Sequence, residues 1–418
     1  MTATHMQSTG RIHCCRSCGS VRLVGVLDLG CSPLADRLIR ERAEAAPSYP
    51  LNLVFCEDCS LLQIDYTVPP EELFCNDYPY FSSVSDALQR HTRSNVAELI
   101  ATRGLDTESR VLELASNDGY LLRHYLAEGI PVLGIDPAEG PARAAQALGV
   151  ETLVDFFSES LATELAGSGF AADVVHANNV LAHVADTNGF IKALATLLKP
   201  DGVAVLEFPY VRDLIDHCEF DTVYHQHLCY FSLTSVSRLF ARHGLAIHEV
   251  RRLPIHGGSL RIYVTRTVEG DGPAHPSVAA LLEEEAAIGV TRLAYYRDFG
   301  ARVGVLKDKL LRLLGELKAS GARIAGYGAP AKGCTLLNFC GIDADLVPYT
   351  VDRNAFKHGW FMPGTGQAIF APSRLLEDAP NYVLMLPWNF EAEILSQQTE
   401  FRERGGQFIV PVPEPRVV

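Results

Sequence analysis

Two histidines and two tyrosines crowd into seven consecutive residues, Tyr224-His225-Gln226-His227-Leu228-Cys229-Tyr230. Imidazoles titrate near neutral pH, so a cluster of this kind can take and return protons during a reaction. In an extended conformation His225 and His227 share one face while Tyr224 and Gln226 share the other. The competing reading is a packed loop with solvent-facing histidines. A second reactive group is sulfur: Cys15-x-x-Cys18 and Cys56-x-x-Cys59. Each pair can reach one metal through a tight turn, and two pairs complete a tetrahedral Cys₄ zinc site, closed and therefore structural. The 37 residues between the pairs leave room for a hairpin, and Cys14 leaves the first ligand ambiguous. The total of 11 cysteines is odd and unevenly spaced, which argues against a disulfide framework.

A third group binds rather than reacts. Val111-Leu112-Glu113-Leu114-Ala115-Ser116-Asn117-Asp118-Gly119 closes a strand and opens a helix, and Gly134-Ile135-Asp136 ends the next strand with a carboxylate suited to ribose hydroxyls. This pairing fits NAD, FAD or S-adenosylmethionine. One glycine with Asn-Asp replaces the G-x-G-x-x-G that wraps a pyrophosphate, which favours a cofactor without phosphates, namely S-adenosylmethionine. Asp155, Phe156 and Phe157 are expected to bracket the adenine, and Asn178-Asn179 to lie beside the methionine end.

These residues need elements to position them. Residues 1–75 hold the cysteine pairs and the apolar segments 21–29 and 51–55, which reads as a small zinc-stapled β-rich domain. Helical spacing over 86–103 then leads into alternating strands (110–114, 132–135, 173–177, 203–207) and helices (120–128, 142–148), with Pro141 suited to a first helical turn. Such alternation implies βαβ units and a parallel sheet. A charged helical connector, 281–317, precedes a second series with strands at 323–328, 346–351 and 382–386. Its first turn, Gly326-Tyr327-Gly328-Ala329-Pro330-Ala331-Lys332-Gly333, opens a helix, and a glycine-rich turn plus helix N-terminus plus lysine makes an anion site. His256-Gly257-Gly258-Ser259 is a further tight turn suited to phosphate or base.

Composition narrows the function classes. With 418 residues, 48% hydrophobic and 21% charged, the chain is long enough for two to three globular domains and is not disordered. A net charge of −14 without a basic block argues against nucleic acid. The absence of a long apolar run argues against a membrane span, and the chain reads as cytoplasmic.

Taken together, the chain resembles the three-domain S-adenosylmethionine-dependent sugar C-methyltransferases that act on nucleotide-linked keto-deoxysugars in antibiotic biosynthesis. The resemblance runs over nearly the whole length. It includes the cysteine pairs with Leu27-Asp28-Leu29-Gly30 and Pro33-Leu34-Ala35-Asp36, Tyr78-Pro79-Tyr80, Glu113 to Gly119, Asn178-Asn179 with His183, and Tyr224 to His227. It continues through Leu253 to Gly258, Gly326 to Lys332 with Asn338 to Gly341, and Trp388-Asn389.

The resemblance implies an α/β fold: a class I methyltransferase Rossmann-like domain (76–280) between an N-terminal zinc-binding domain (1–75) and a C-terminal Rossmann-like domain (281–418). It implies that a histidine removes the proton on the sugar carbon beside a ketone and that the enolate takes the methyl. His227 matches that base and His225 is the close rival. Tyr224 and Tyr78 or Tyr80 match site tyrosines, Tyr80 being grouped with the cofactor residues Glu113, Ala115, Asn117, Gly119 and Asp136, and His183 matches a second histidine near the sugar. The nucleotide diphosphate is expected at the glycine-rich turn with Lys332, and His225, Tyr327, Asn338, Asp352, Lys357, Trp388 and Asn389 are the further substrate-binding residues. Gln226 stands where relatives acting on amino sugars have Glu, which points to a hydroxyl or carbonyl rather than an amine at the methylated carbon. O-methylation, a non-sugar acceptor, a coupled ketoreduction and an inert interaction protein are the alternatives, and monomer versus homodimer stays open.

Overall fold

A computed structural model describes residues 9–74, 81–267 and 274–418. The N-terminal unit is built on strands β1 (Leu23–Pro33), β2 (Ser48–Cys56) and β3 (Leu62–Ile64), paired antiparallel. The long β1–β2 hairpin fills the gap between the cysteine pairs, with Leu23 opposite Cys56. Its inner face buries Leu51, Leu53, Phe55 and Ile64. The short strand Cys229–Tyr230 adds to the far side of β3, so a segment of the middle unit completes this sheet.

Helix α1 (Asp86–Arg103) starts where the Ser85 side chain accepts the Leu88 N–H and stops at left-handed Gly104, at the ends read from the sequence. The middle sheet contains β4 (Val111–Leu114), β5 (Val132–Ile135), β6 (Thr152–Leu153), β7 (Ala172–Asn178), β8 (Leu198–Pro209), β9 (Leu245–Leu253) and β10 (Ser259–Arg266). Its order is β9-β10-β8-β7-β4-β5-β6, with β10 antiparallel to both neighbours. The cofactor strand β4 lies centrally, where strand order reverses and an open α/β sheet presents a crevice. The helix expected at 142–148 runs Glu139–Ala147, with Pro141 in its first turn.

The expected connector 281–317 is two main helices, Pro276–Ile288 and Phe299–Ala319. Beyond them come β11 (Ile324–Tyr327), helix α2 (Ala331–Cys340), β12 (Tyr349–Val351), β13 (Ala368–Phe370), β14 (Tyr382–Met385), β15 (Gln407–Val410) and β16 (Arg416–Val417). The order β13-β12-β11-β14-β15-β16, parallel except for β16, is a second doubly wound sheet. Contacts between the units include an Ile39–Phe361 bridge, Thr335 Oγ1 donating to the Val223 carbonyl (3.2 Å), and Trp388 Nε1 donating to Asp221 Oδ2 (2.7 Å). Among the described residues no helix is long and apolar enough to cross a membrane.

Candidate active site

Immediately after β4 the backbone turns left-handed three times, at Ala115 (φ 52°), Asn117 (φ 49°) and Gly119 (φ 73°). Only the last is glycine, so this loop stores strain of the kind found at ligand sites. A side chain at position 119 would also press on Ala145, whose Cβ would lie 3.1 Å away. Asp136, ending β5, braces the loop: Oδ2 accepts the Asn117 N–H and Oδ1 the Ala138 N–H, each at 2.8 Å. The expected ribose carboxylate is thus already a backbone bracket, with second lone pairs left for a ligand.

Glu113, Asp118 and Asp136 converge in the interior. Burial, together with the other two acids, pushes the Glu113 carboxyl well above its usual range; burial lifts Asp136 to about 6. Glu113 Oε2, Asp118 Oδ1 and Asn178 Oδ1 are buried with no partner. Crowded, underserved carboxylates suit a cationic ligand, and S-adenosylmethionine carries both an ammonium and a sulfonium. Asn179 is also left-handed (φ 55°), its N–H bonded to the Glu207 carbonyl (2.7 Å). On the opposite rim, Asp155 is exposed and accepts its neighbour's N–H, and the Phe157 ring meets Phe190 edge-on, leaving the half-buried Phe156 beside it. Tyr78 and Tyr80 lie outside the described residues.

The histidine segment is a turn, so the face-sharing that an extended conformation would give does not hold. The His227 N–H bonds the Tyr224 carbonyl (2.9 Å), which brings the two rings to 4.0 Å and breaks the anticipated alternation of faces. His227 Nδ1 contacts the Thr222 carbonyl (2.9 Å), an acceptor only, so Nδ1 carries the proton and Nε2 keeps its lone pair, facing the Tyr224 hydroxyl at 2.7 Å. His183 packs edge-on against His227 at 4.8 Å and against Phe74 at 5.7 Å. Burial, then His183, Lys332 and His256, hold His227 well below the usual histidine range, and burial lowers His183 to about 4. Both imidazoles are therefore neutral at physiological pH.

The same turn sends His225 away. Its ring is buried against Tyr49, with Nε2 on the Pro50 carbonyl (3.2 Å), so the expectation that it touches substrate is corrected: it anchors the turn to the zinc unit. Gln226 donates from Nε2 to Asp36 Oδ2 (3.0 Å), leaving a buried Oε1 without a partner. An acceptor oxygen does not suit a carbonyl, which revises half of the sequence expectation.

In the C-terminal half Asp352 accepts the N–H groups of Ala329 and Asn354, both at 2.7 Å, and Lys357 Nζ donates to the Ala329 carbonyl (2.8 Å). With Pro330 lacking an N–H and Ala329 engaged, the donors left at this turn belong to Ala331, Lys332 and Gly333 at the start of α2. Lys332 points toward the middle unit: Nζ bonds Asn389 Oδ1 (2.9 Å), lies 4.5 Å over the Trp388 ring, and is coupled to Asp221 and Glu219. Asn338 spends its amide on the Cys334 and Pro363 carbonyls and packs under Gly364, so it pins a loop rather than facing a ligand. The Tyr327 ring packs against Phe408 while its residue borders an interdomain cavity. Asp221, Glu219 and Asp36 were missed in the sequence; only their places beside the histidine segment and in the Pro33–Asp36 motif marked them.

The Sγ atoms of Cys15, Cys18, Cys56 and Cys59 all lie within 4.8 Å of one another, with 3.5 Å between Cys15 and Cys59 and between Cys18 and Cys56. A tetrahedron with Zn–S near 2.3 Å has edges of about 3.8 Å, so the cluster fits zinc. Cys14, the ambiguous neighbour, is exposed and outside it.

Comparison with known proteins agrees with this geometry. Residues 15–74 match a zinc binding domain profile, 87–250 a methyltransferase domain, and 254–413 a C-methyltransferase C-terminal domain. The C-methyltransferase NovU of Streptomyces niveus is 34% identical over 406 residues, covering 97% of this chain and 96% of that protein. The chain belongs to the C-methyltransferase family. Shorter matches include the ubiquinone biosynthesis O-methyltransferase of Azorhizobium caulinodans, 32% identical over 29% of this chain and 47% of that protein. A solved magnesium protoporphyrin IX methyltransferase from Synechocystis with bound S-adenosylmethionine is 19% identical, covers 43% of this chain and 79% of its own, and has a TM-score of 0.33. As a member of the C-methyltransferase family the chain is an S-adenosylmethionine-dependent enzyme with a class I Rossmann-like domain, and its cysteine cluster holds a structural zinc.

Proposed function

We propose that the chain methylates carbon beside the ketone of a nucleotide-linked deoxysugar. S-adenosylmethionine, held by Glu113, Asn117, Gly119, Asp136 and Asn178, supplies an electrophilic methyl. The observation that carries the reading is the fixed tautomer of His227: Thr222 holds the Nδ1 proton, leaving Nε2 free to accept one. The substrate's α-proton passes to Nε2, and Tyr224, displaced from that nitrogen, turns its hydroxyl to the developing enolate oxygen. His183 forms the adjacent wall, and Lys332 adds positive charge that favours the enolate. The low basicity of buried His227 is compensated as the imidazolium forms beside an enolate in a dry site. The N-terminal turn of α2 and Lys332 receive the diphosphate, and Gln226 Oε1 accepts from a hydroxyl on the sugar.

The test is carbon NMR of product made with ¹³C-methyl S-adenosylmethionine and a thymidine-diphosphate 4-keto sugar. A methyl bonded to ring carbon, with exchange of the proton on that same carbon with D₂O when S-adenosylhomocysteine replaces the cofactor, is expected. A methyl on oxygen would overturn the reading.

A further inference from the structure

A cavity of about 180 Å³ opens between the two α/β halves, at the carboxyl ends of β11, β12 and β14. This is the switch point of the C-terminal sheet, where doubly wound folds bind ligands. Phe81 and Leu88 form one apolar wall, Pro387 and Phe390 the other. Two buried polar atoms that border it have no partner: Nε2 of His256, from the first half, and Oε2 of Glu393, from the second. Buried polar atoms without a partner are rare without a ligand.

His256 is also held there at a conformational cost. Its backbone is left-handed (φ 58°, ψ 25°), a region uncommon outside glycine. The following Gly257 and Gly258 press on the Glu219 and Asp213 carboxylates so closely that a Cβ on either would lie within 2.6 Å of a carboxylate oxygen. The imidazole stands edge-on to Phe390 at 6.1 Å. Strain that persists beside an orphaned ring nitrogen and an open cavity points to a ligand contact.

We propose that His256 and Glu393 are substrate-binding residues, gripping the nucleoside end of the acceptor from opposite domains, with Nε2 donating and Oε2 accepting. A flat heteroaromatic ring with both donor and acceptor edges fits the apolar walls and this pair. The proposal rests on the nucleotide-linked acceptor argued above.

Titration calorimetry of the full chain with thymidine diphosphate, run beside S-adenosylhomocysteine, tests it. Glu393→Gln and His256→Gly are each expected to weaken thymidine-diphosphate binding about tenfold or more, with S-adenosylhomocysteine affinity within about twofold of wild type. Glycine relieves the left-handed backbone, so the Tm of His256→Gly should not fall, a pattern that a merely structural histidine would not give. Variants that bind the diphosphate like wild type, while wild type binds it, overturn this inference alone. A wild type that binds no thymidine diphosphate overturns the nucleotide reading and this inference together. If His256→Gly loses both ligands it has lost its fold, and Glu393→Gln decides.

Discussion

The two α/β halves share one local device and differ in charge. In each, the acid ending the second strand accepts two backbone N–H groups, one from the loop after the first strand and one two residues further on: Asn117 and Ala138 for Asp136, Ala329 and Asn354 for Asp352. The bracket is a property of the doubly wound crevice, independent of cargo. Around it the halves diverge. The first crowds Glu113 and Asp118 against the bracket; the second sets Lys357 and Arg353 beside it. One scaffold thus presents an anionic crevice for a cationic cofactor and, on the function proposed above, a second crevice for an anionic ligand, with the histidine turn at their junction. A reader of sequence should therefore take the terminal acid as evidence of fold, and take cargo from its neighbours.

The strongest challenge to this division is His227→Ala. If the halves only bind while the junction reacts, turnover falls about 10²- to 10⁴-fold while both ligand affinities stay within about twofold. Comparable losses of binding would show that the turn belongs to one of the halves. Next in size, Asp136→Ala and Asp352→Ala should each weaken only their own half's ligand, about 10- to 100-fold by calorimetry, because each leaves backbone donors unserved and a loop unbraced. A crossed effect would break the parallel. The smallest is a pH effect confined to the first half. Burial raises Asp136 from the usual 3.8 to about 6, so the folded apo chain binds a proton there that the unfolded chain releases, and that group's contribution to stability falls as pH rises from about 4 to about 6. A cationic cofactor prefers the ionised acid. S-adenosylmethionine affinity should therefore weaken up to about tenfold between pH 7 and 5, and Asp136→Asn should flatten that dependence.

Much of this was legible in the chain itself. The cysteine pairs, β4 to Gly119, Asp136 and the turn opening α2 carry local signals: spacing, glycine, and a strand ending in an acid. What could not be read depends on tertiary pairing. The alternation argument failed at His225 because 224–227 closes as a turn against Ala182 and Pro50, residues distant in sequence. The β9–β10 hairpin went unread because Arg251, Arg252 and Arg261 interrupt its apolar pattern, and buried Arg261 is paired with Glu207 (2.6 Å) and His91 (3.1 Å). Asp221 became visible only when Trp388, 167 positions later, met it.

The strand Cys229–Tyr230 begins two residues after His227 and hydrogen-bonds to β3, which itself follows Cys59 by three residues. The distance from metal to base is therefore a few peptide units of sheet rather than a domain's width. Stripping the zinc would slacken the edge on which the imidazole is hung while leaving both ligand crevices intact, giving a protein that still fills with cofactor and falls silent.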